Sequence, residues 1–210
     1  MMNAADLPDQ LPVFPLPGAV LLPRARLPLH IFEPRYLAMI EDCLKSERRL
    51  IGMIQPRGDA GGLASVGCAG RITSFSETDD GRYMITLSGI ARFMVRTEIT
   101  GFVPYRRVNV DWTPFIDDIG PSEEDVGFDR EAFLPRLARY LHASRMGTDW
   151  SNLKEADNEM LINAMCMVCP FAVEEKQALL EAQTLTDRRQ VLEQLITFAL
   201  QSGGGDEVLQ

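Results

Sequence analysis

Only two histidines, His30 and His142, occur in this 210-residue chain, so any Ser–His or Cys–His catalytic arrangement has to use one of them. Neither is well placed for that. His30 stands between Leu29 and Ile31, where alternation turns its ring away from those two residues and toward Glu33 or backbone, and no serine nearby sits in a nucleophile-elbow sequence. His142 falls beside Arg139 and Arg145 on an amphipathic helical pattern and faces solvent. A Gly-x-x-x-x-Gly-Lys-Ser/Thr phosphate cradle is also missing, which excludes that way of holding a nucleoside triphosphate. With no residues at the spacing of acid, base and nucleophile, a non-enzymatic protein is expected. Apolar runs fall short of the ~20 residues a membrane helix needs. The opening Met-Met-Asn-Ala-Ala-Asp lacks the basic-then-apolar order of a signal peptide. No membrane partner and a cytoplasmic location are expected.

Cysteine is scarce, and Cys43, Cys68, Cys166 and Cys169 lie inside apolar patterns, as buried thiols in a reducing compartment do. Cys166-Met-Val-Cys169-Pro170 has the spacing of a redox pair or half a zinc site. The pair closes a helical pattern instead of opening one, where the helix dipole would lower a thiol pKa. Cys43 and Cys68 have no paired spacing to complete a tetrahedral set. No metal and no cofactor are expected.

Lysine is rarer still: 18 of the 21 basic residues are arginine, which suits planar, bidentate contacts and also follows from a GC-rich genome. Charge is uneven along the chain. Residues 1–115 hold 13 basic and 12 acidic side chains, residues 116–210 hold 8 and 18, so the net charge of −9 belongs to the second half.

Of what is present, proline punctuates the start. Pro12, Pro15, Pro17, Pro23 and Pro28 restrict Leu11 to Leu29 to turns and short or edge strands. Pro34 then suits a first helical turn, and Tyr36, Leu37, Met39, Ile40, Cys43 and Leu44 recur at helical spacing, predicting a helix from Pro34 to Glu47. Leu50–Ile54 reads as a buried strand, followed by a glycine-rich loop over 58–62. Val66–Glu77 and Arg82–Ser88 flank Thr78-Asp79-Asp80-Gly81 as a hairpin, and Phe93–Val95 and Phe102–Trp112 supply further strands. An acidic linker is expected over 116–128. Helices follow from Phe133, from an Asp157 cap, over Val173–Ala182 and over Thr186–Leu200, and 202–210 reads as a flexible tail. The class is α+β: a β domain with one inserted helix over 1–115, then a helical bundle over 116–210.

The run Leu27-Pro-Leu-His-Ile-Phe-Glu-Pro-Arg-Tyr36, with Val13-Phe14-Pro15-Leu16, Gly67-Cys68-Ala69-Gly70-Arg71-Ile72 and Gly89-Ile90-Ala91-Arg92-Phe93, resembles the substrate-binding N-terminal domain of the Lon ATP-dependent protease family. The resemblance covers most of the chain. It implies a PUA-like β pseudobarrel followed by a helical subdomain, used to recognise polypeptides rather than to cut them. It also implies a free-standing form without the ATPase and serine–lysine peptidase parts of a complete Lon protease.

On that resemblance the expected ligands are unfolded or extended polypeptides, held by apolar contacts and strand addition, with a protease or chaperone machine as a further partner. Glu33 is placed to cap the helix and Arg35 to pair with a carboxylate. Phe32, Tyr36 and Met53 are expected to line an apolar groove edged by Glu33 and Arg35, with Arg71 and Arg92 as further peptide contacts. The alternative is RNA binding, which also occurs on PUA-like folds, through Arg71, Arg92, Arg96, Arg106 and Arg107 interleaved with Phe75, Tyr83, Phe93 and Tyr105. A near-neutral first half and an acidic second half argue against phosphate contacts, so nucleic acid is not expected as a partner.

Overall fold

The computed structural model describes residues 4–58, 61–147, 153 and 155–203. Its two compact units are Met1–Pro121 and Ser122–Gln210, so the division falls beyond the expected 115/116 boundary. The first unit contains β1 (Gln10–Pro15), β2 (Arg26–Ile31), α1 (Pro34–Lys45), β3 (Leu50–Ile54), β4 (Pro56–Arg57), β5 (Gly62–Leu63), β6 (Val66–Glu77), β7 (Tyr83–Ile99) and β8 (Arg106–Asp111). Strands β7, β6, β3, β1 and β8 pair in that order, and β8 pairs again with β7, which closes the sheet into a pseudobarrel. All these pairs are antiparallel except β1 with β3. Strand β2 adds to the first half of β7, from Arg26↔Ser88 to Ile31↔Tyr83, and is the outer strand of this six-stranded sheet.

Local chemistry explains the helix and the hairpin. Pro34 opens α1, Tyr36, Met39, Ile40 and Cys43 form its buried face, and Ser46 ends it by donating its hydroxyl (2.7 Å) to the Cys43 carbonyl. At the hairpin, Gly81 takes φ 75°, and the Thr78 amide donates to the Arg82 carbonyl at 2.9 Å. Part of the glycine-rich loop is a minimal pairing of Arg57 with Gly62; Asp59 and Ala60 lie outside the described residues.

The barrel interior is organised around Phe93, fully buried with Leu11, Val13, Leu50, Ile54, Ala69 and Val108. Two glycines make room for its ring: a Cβ on Gly52 would stand 2.8 Å, and one on Gly67 2.6 Å, from Phe93 Cζ. Gly89 has a different duty. Its amide donates to the Ala25 carbonyl (2.8 Å), and its carbonyl accepts from the Arg24 amide (2.9 Å). The backbones are so close that a Cβ on Gly89 would lie 2.0 Å from the Leu22 carbonyl oxygen. Because that atom is backbone, Gly89→Ala is expected to cost the upper end of about 1–3 kcal/mol, as overpacking that shifts main chain does. A loss below about 1 kcal/mol in denaturant unfolding would show that the Leu22 segment yields freely.

Residues 113–119, which span the start of the expected linker, form a 3-10 helix, Thr113–Ile119, that buries Phe115 and Asp118. The acidic composition conceals this because the Asp118 charge is matched inside the fold. Arg92 donates to it from Nε (2.9 Å), Nη2 (2.8 Å) and its backbone amide (2.8 Å), and the guanidinium stacks 4.4 Å from the Phe115 ring centroid.

The second unit holds α2 (Arg130–Ala143), α3 (Asn158–Val168), α4 (Val173–Glu181) and α5 (Leu185–Gly203). Asp129 caps α2 through the Ala132 amide (3.0 Å), and Asp157 caps α3 through the Met160 amide (2.7 Å). Asp125, expected in the linker, is buried and accepts from Arg189 Nε at 2.5 Å. The last helix continues to Gly203, inside the expected tail, and residues 204–210 lie outside the described residues. Cys169 closes α3, and all four cysteines are buried thiols outside any disulfide. Burial pushes the thiols of Cys43, Cys166 and Cys169 up to about 12. Among the described residues no helix is long and apolar enough to cross a membrane.

Candidate functional site at the outer strand

Because the barrel ring is closed, β2 carries the free edge of its sheet. The bond from the Gly89 amide to the Ala25 carbonyl makes Arg26↔Ser88 a non-hydrogen-bonded pair. By the antiparallel alternation, Leu27, Leu29 and Ile31 then bond to β7, and the backbone groups of Arg26, Pro28 and His30 turn to the free edge. Pro28 therefore loses no ladder bond, which is where a strand tolerates proline. It also leaves the middle of the free edge without a donor, so a guest strand would find amides only at Arg26 and His30.

Two large apolar side chains stand open on this face, among the polar Arg26, His30 and Thr86. Phe32 is 60% exposed and Met84, on β7 opposite His30, is 55% exposed. His30 approaches Phe32 edge-on at 6.4 Å between centroids, and the Arg82 guanidinium lies 5.9 Å from the same ring. At the start of α1, Glu33 is the N-cap residue, but its carboxylate makes no capping bond, contrary to the expected role; it accepts instead from Arg35 (Nε 3.0 Å, Nη2 2.8 Å). Arg35 also covers the Tyr36 ring at 4.5 Å. Tyr36 is buried, its ring tilted against that of Phe14 at 4.3 Å between centroids, and burial raises the pKa of its hydroxyl despite the Arg35 charge.

The seven expected contacts therefore separate. Phe32, Glu33, Arg35 and Tyr36 share the start of α1, with Tyr36 a floor rather than an open wall. Arg71 pairs opposite Leu50 and reaches the Glu47 carbonyl (3.4 Å), at the far end of that helix. Met53 is a correction: it is buried in β3 between Phe14 and Cys68, because the whole of β3 is enclosed. Arg92 is a second correction, since its guanidinium is consumed inside the fold by Asp118. Met84 and Arg82 were missed. The available signal was a methionine standing in the polar phase of the alternation Tyr83, Ile85, Leu87.

Of the five arginines considered for RNA, Arg92 is buried, Arg96 pairs with Asp111, and Arg106 is held by Glu98 (2.6 Å) and the Gly61 carbonyl (2.7 Å). The Glu98 bond raises the Arg106 pKa and lowers that of Glu98. Three of the five are therefore held by carboxylates of the fold, which leaves Arg71 and Arg107 without one among the described residues. Among the described residues no three His, Cys, Asp or Glu side chains are grouped to hold a metal ion.

Comparison with known proteins places this geometry. The sequence matches the family described as ATP-dependent protease La (LON) substrate-binding domain over residues 10–197. It is 26% identical over 209 residues to Lon protease 2 of Myxococcus xanthus, covering 93% of this chain and 24% of that protein. It is 30% identical over 112 residues to Lon protease 2 of Sorangium cellulosum, covering 50% of this chain and 14% of that protein. The chain thus spans a quarter or less of the length of these relatives, and no ATPase or protease domain is evident in it. Among solved structures, it resembles the Lon N-terminal domain protein of Xanthomonas campestris at 25% identity and a TM-score of 0.62, covering 90% of this chain and 98% of that one. The N-terminal domain of the Mycobacterium avium complex Lon protease superposes with a TM-score of 0.65 at 17% identity, with coverage of 90% and 98%. The closed pseudobarrel with its added outer strand, and the match across nine-tenths of the sequence, make this chain a member of the LON substrate-binding domain family.

Proposed function

We propose that the protein binds unfolded or extended polypeptide segments at the outer strand, without chemistry of its own. The observation that carries this reading is the pairing of a free strand edge on β2 with two open apolar side chains, Phe32 and Met84, directly above it. Exposed apolar groups of this size beside an unpaired edge are what an extended chain can use: backbone bonds supply affinity and alternate side chains supply contact. Since Pro28 removes the central donor, apolar contact with Phe32 and Met84 carries more of the binding than the ladder does. Methionine suits varied partners because its side chain is flexible and polarizable. Family membership supports a substrate-recognition role in general; docking onto a protease or chaperone machine extends the same reading, with the segment delivered to that machine.

The test is fluorescence anisotropy with a labelled, permanently unfolded polypeptide such as reduced, carboxymethylated lactalbumin. Saturable binding that survives added salt is the expected result. Phe32→Asp is expected to weaken it at least about tenfold, the effect of charging an apolar contact, with unchanged unfolding because Phe32 is exposed. Binding indifferent to that substitution would remove the outer strand from the function.

A further inference from the structure

At the opposite end of α1 a cleft of about 540 Å³ opens between the helix terminus and the β1–β8 ladder. Its walls include Pro8, Pro12 and Leu50, and its polar groups come from Asp42, Glu47, Arg48, Tyr105 and Arg107. Some of these are already satisfied. The Tyr105 hydroxyl donates to Asp42 Oδ2 (2.9 Å), and Lys45 lies 3.5 Å from Asp42 Oδ1. Burial and that acceptor push the Tyr105 pKa up to about 12, so it remains a neutral donor. The Trp112 indole fixes Pro8 through its carbonyl (2.9 Å).

Arg107 is the exception. It is half-buried beside Pro12, its register partner on β1, yet its guanidinium makes no hydrogen bond or ion pair among the described residues. Arg96 and Arg106, from the same sheet, each have a carboxylate. Among the described residues Arg48 at the rim is likewise unpaired, and the Glu47 carboxylate has no hydrogen-bond or ion-pair partner. With Asp42 engaged, the unsatisfied charges sum to one positive. A partly desolvated guanidinium facing a partly apolar cleft calls for a single carboxylate, which it can bind through two parallel N–H donors. A phosphate dianion would meet the carboxylates of both Glu47 and Asp42, which line the same cleft.

We infer that this cleft is a second subsite for the bound polypeptide, taking an acidic side chain of an extended segment onto Arg107. The inference rests on the polypeptide-binding reading above and names a feature of the substrate: an acidic residue separated from the apolar one. Helix α1 spans ~18 Å between the two sites at its 1.5 Å rise per residue, a distance an extended peptide covers in about six residues.

Two capped synthetic peptides test it, each with a leucine–valine patch and, about six residues on, either glutamate or glutamine. Against the intact protein, the glutamate peptide is expected to bind about tenfold more tightly, the effect of one charge-assisted pair at a half-exposed site. Arg107→Gln should abolish that preference and leave glutamine-peptide affinity unchanged, Arg107→Lys should keep part of it, and Glu47→Gln should increase it. Circular dichroism confirms that each variant is folded. Equal binding of the two peptides, or a preference that survives Arg107→Gln, overturns the subsite while leaving the apolar reading intact. Displacement of the glutamate peptide by single-stranded RNA with a steep salt dependence would make the cleft a general anion site and also overturn it. If neither peptide nor the unfolded polypeptide binds, the polypeptide reading falls and this inference with it.

Discussion

Asp118→Ala is expected to lower the unfolding free energy of the barrel unit by about 3–5 kcal/mol, the cost of stranding one member of a buried ion pair. Arg92 and Asp118 are both 2% exposed in their side chains, so no water replaces the lost carboxylate. Three donors lose their acceptor at once: Nε, Nη2 and the Arg92 amide. The substitution also frees the 3-10 helix Thr113–Ile119, which Asp118 ties to β7. An apolar pair of similar size, Arg92→Met with Asp118→Leu, should recover most of the loss, because neither charge then needs solvating. It should not recover all of it, since the Arg92 amide stays without that acceptor, at a cost of about 1–3 kcal/mol. Urea unfolding of the three proteins decides the matter. A single-variant loss below about 1 kcal/mol would mean that solvent reaches the Arg92 guanidinium.

Phe93→Ala should be comparably severe, about 3–5 kcal/mol, because a large aromatic is removed from a site that cannot collapse. The ring has Gly52 and Gly67 against it and meets Trp112 edge-on at 5.9 Å, and glycines have no side chains to move into the void. A sharper consequence concerns coupling. Gly52→Ala places a Cβ 2.8 Å from Phe93 Cζ and 3.0 Å from Val13 Cγ1, both side-chain atoms, so it is destabilising in the native background and less so once Phe93 is alanine. Gly67→Ala should show weaker relief, because its Cβ would also lie 2.7 Å from the Met53 carbonyl oxygen, which the second substitution leaves in place. Additive losses for Phe93 and Gly52 would contradict this account of how the barrel is filled.

The candidate site was only half legible in the sequence, and the residues show why. Phe32, Glu33, Arg35 and Tyr36 are neighbours in the chain, so one helix start was enough to bring them together. Met53 and Arg92 have side chains of a type that suits the same groove, but burial, a non-local property, removes them from it. Met84 is brought opposite His30, two residues before Phe32, only through the register of β2 on β7. Arg107 stands out only because, among the described residues, it has no carboxylate such as Arg96 and Arg106 have.

What the amino-acid order determined by itself was everything with a short period. It includes the Pro34 start of α1, the Asp-Gly hairpin, the cap at Asp157, the burial of the cysteines, the α+β class and the family. These depend on groups within a few residues of one another, whose geometry the backbone dictates. Only the tertiary structure decided that the barrel closes through β8 on β7, that β2 is left as the outer strand, that Asp118 is an internal counter-ion 26 positions from Arg92, and that Gly89 faces a carbonyl. Each of those facts depends on which distant segments become neighbours. That choice is made by the collective burial of apolar side chains, a driving force proportional to area and without direction, which leaves no local mark on the residues it brings together.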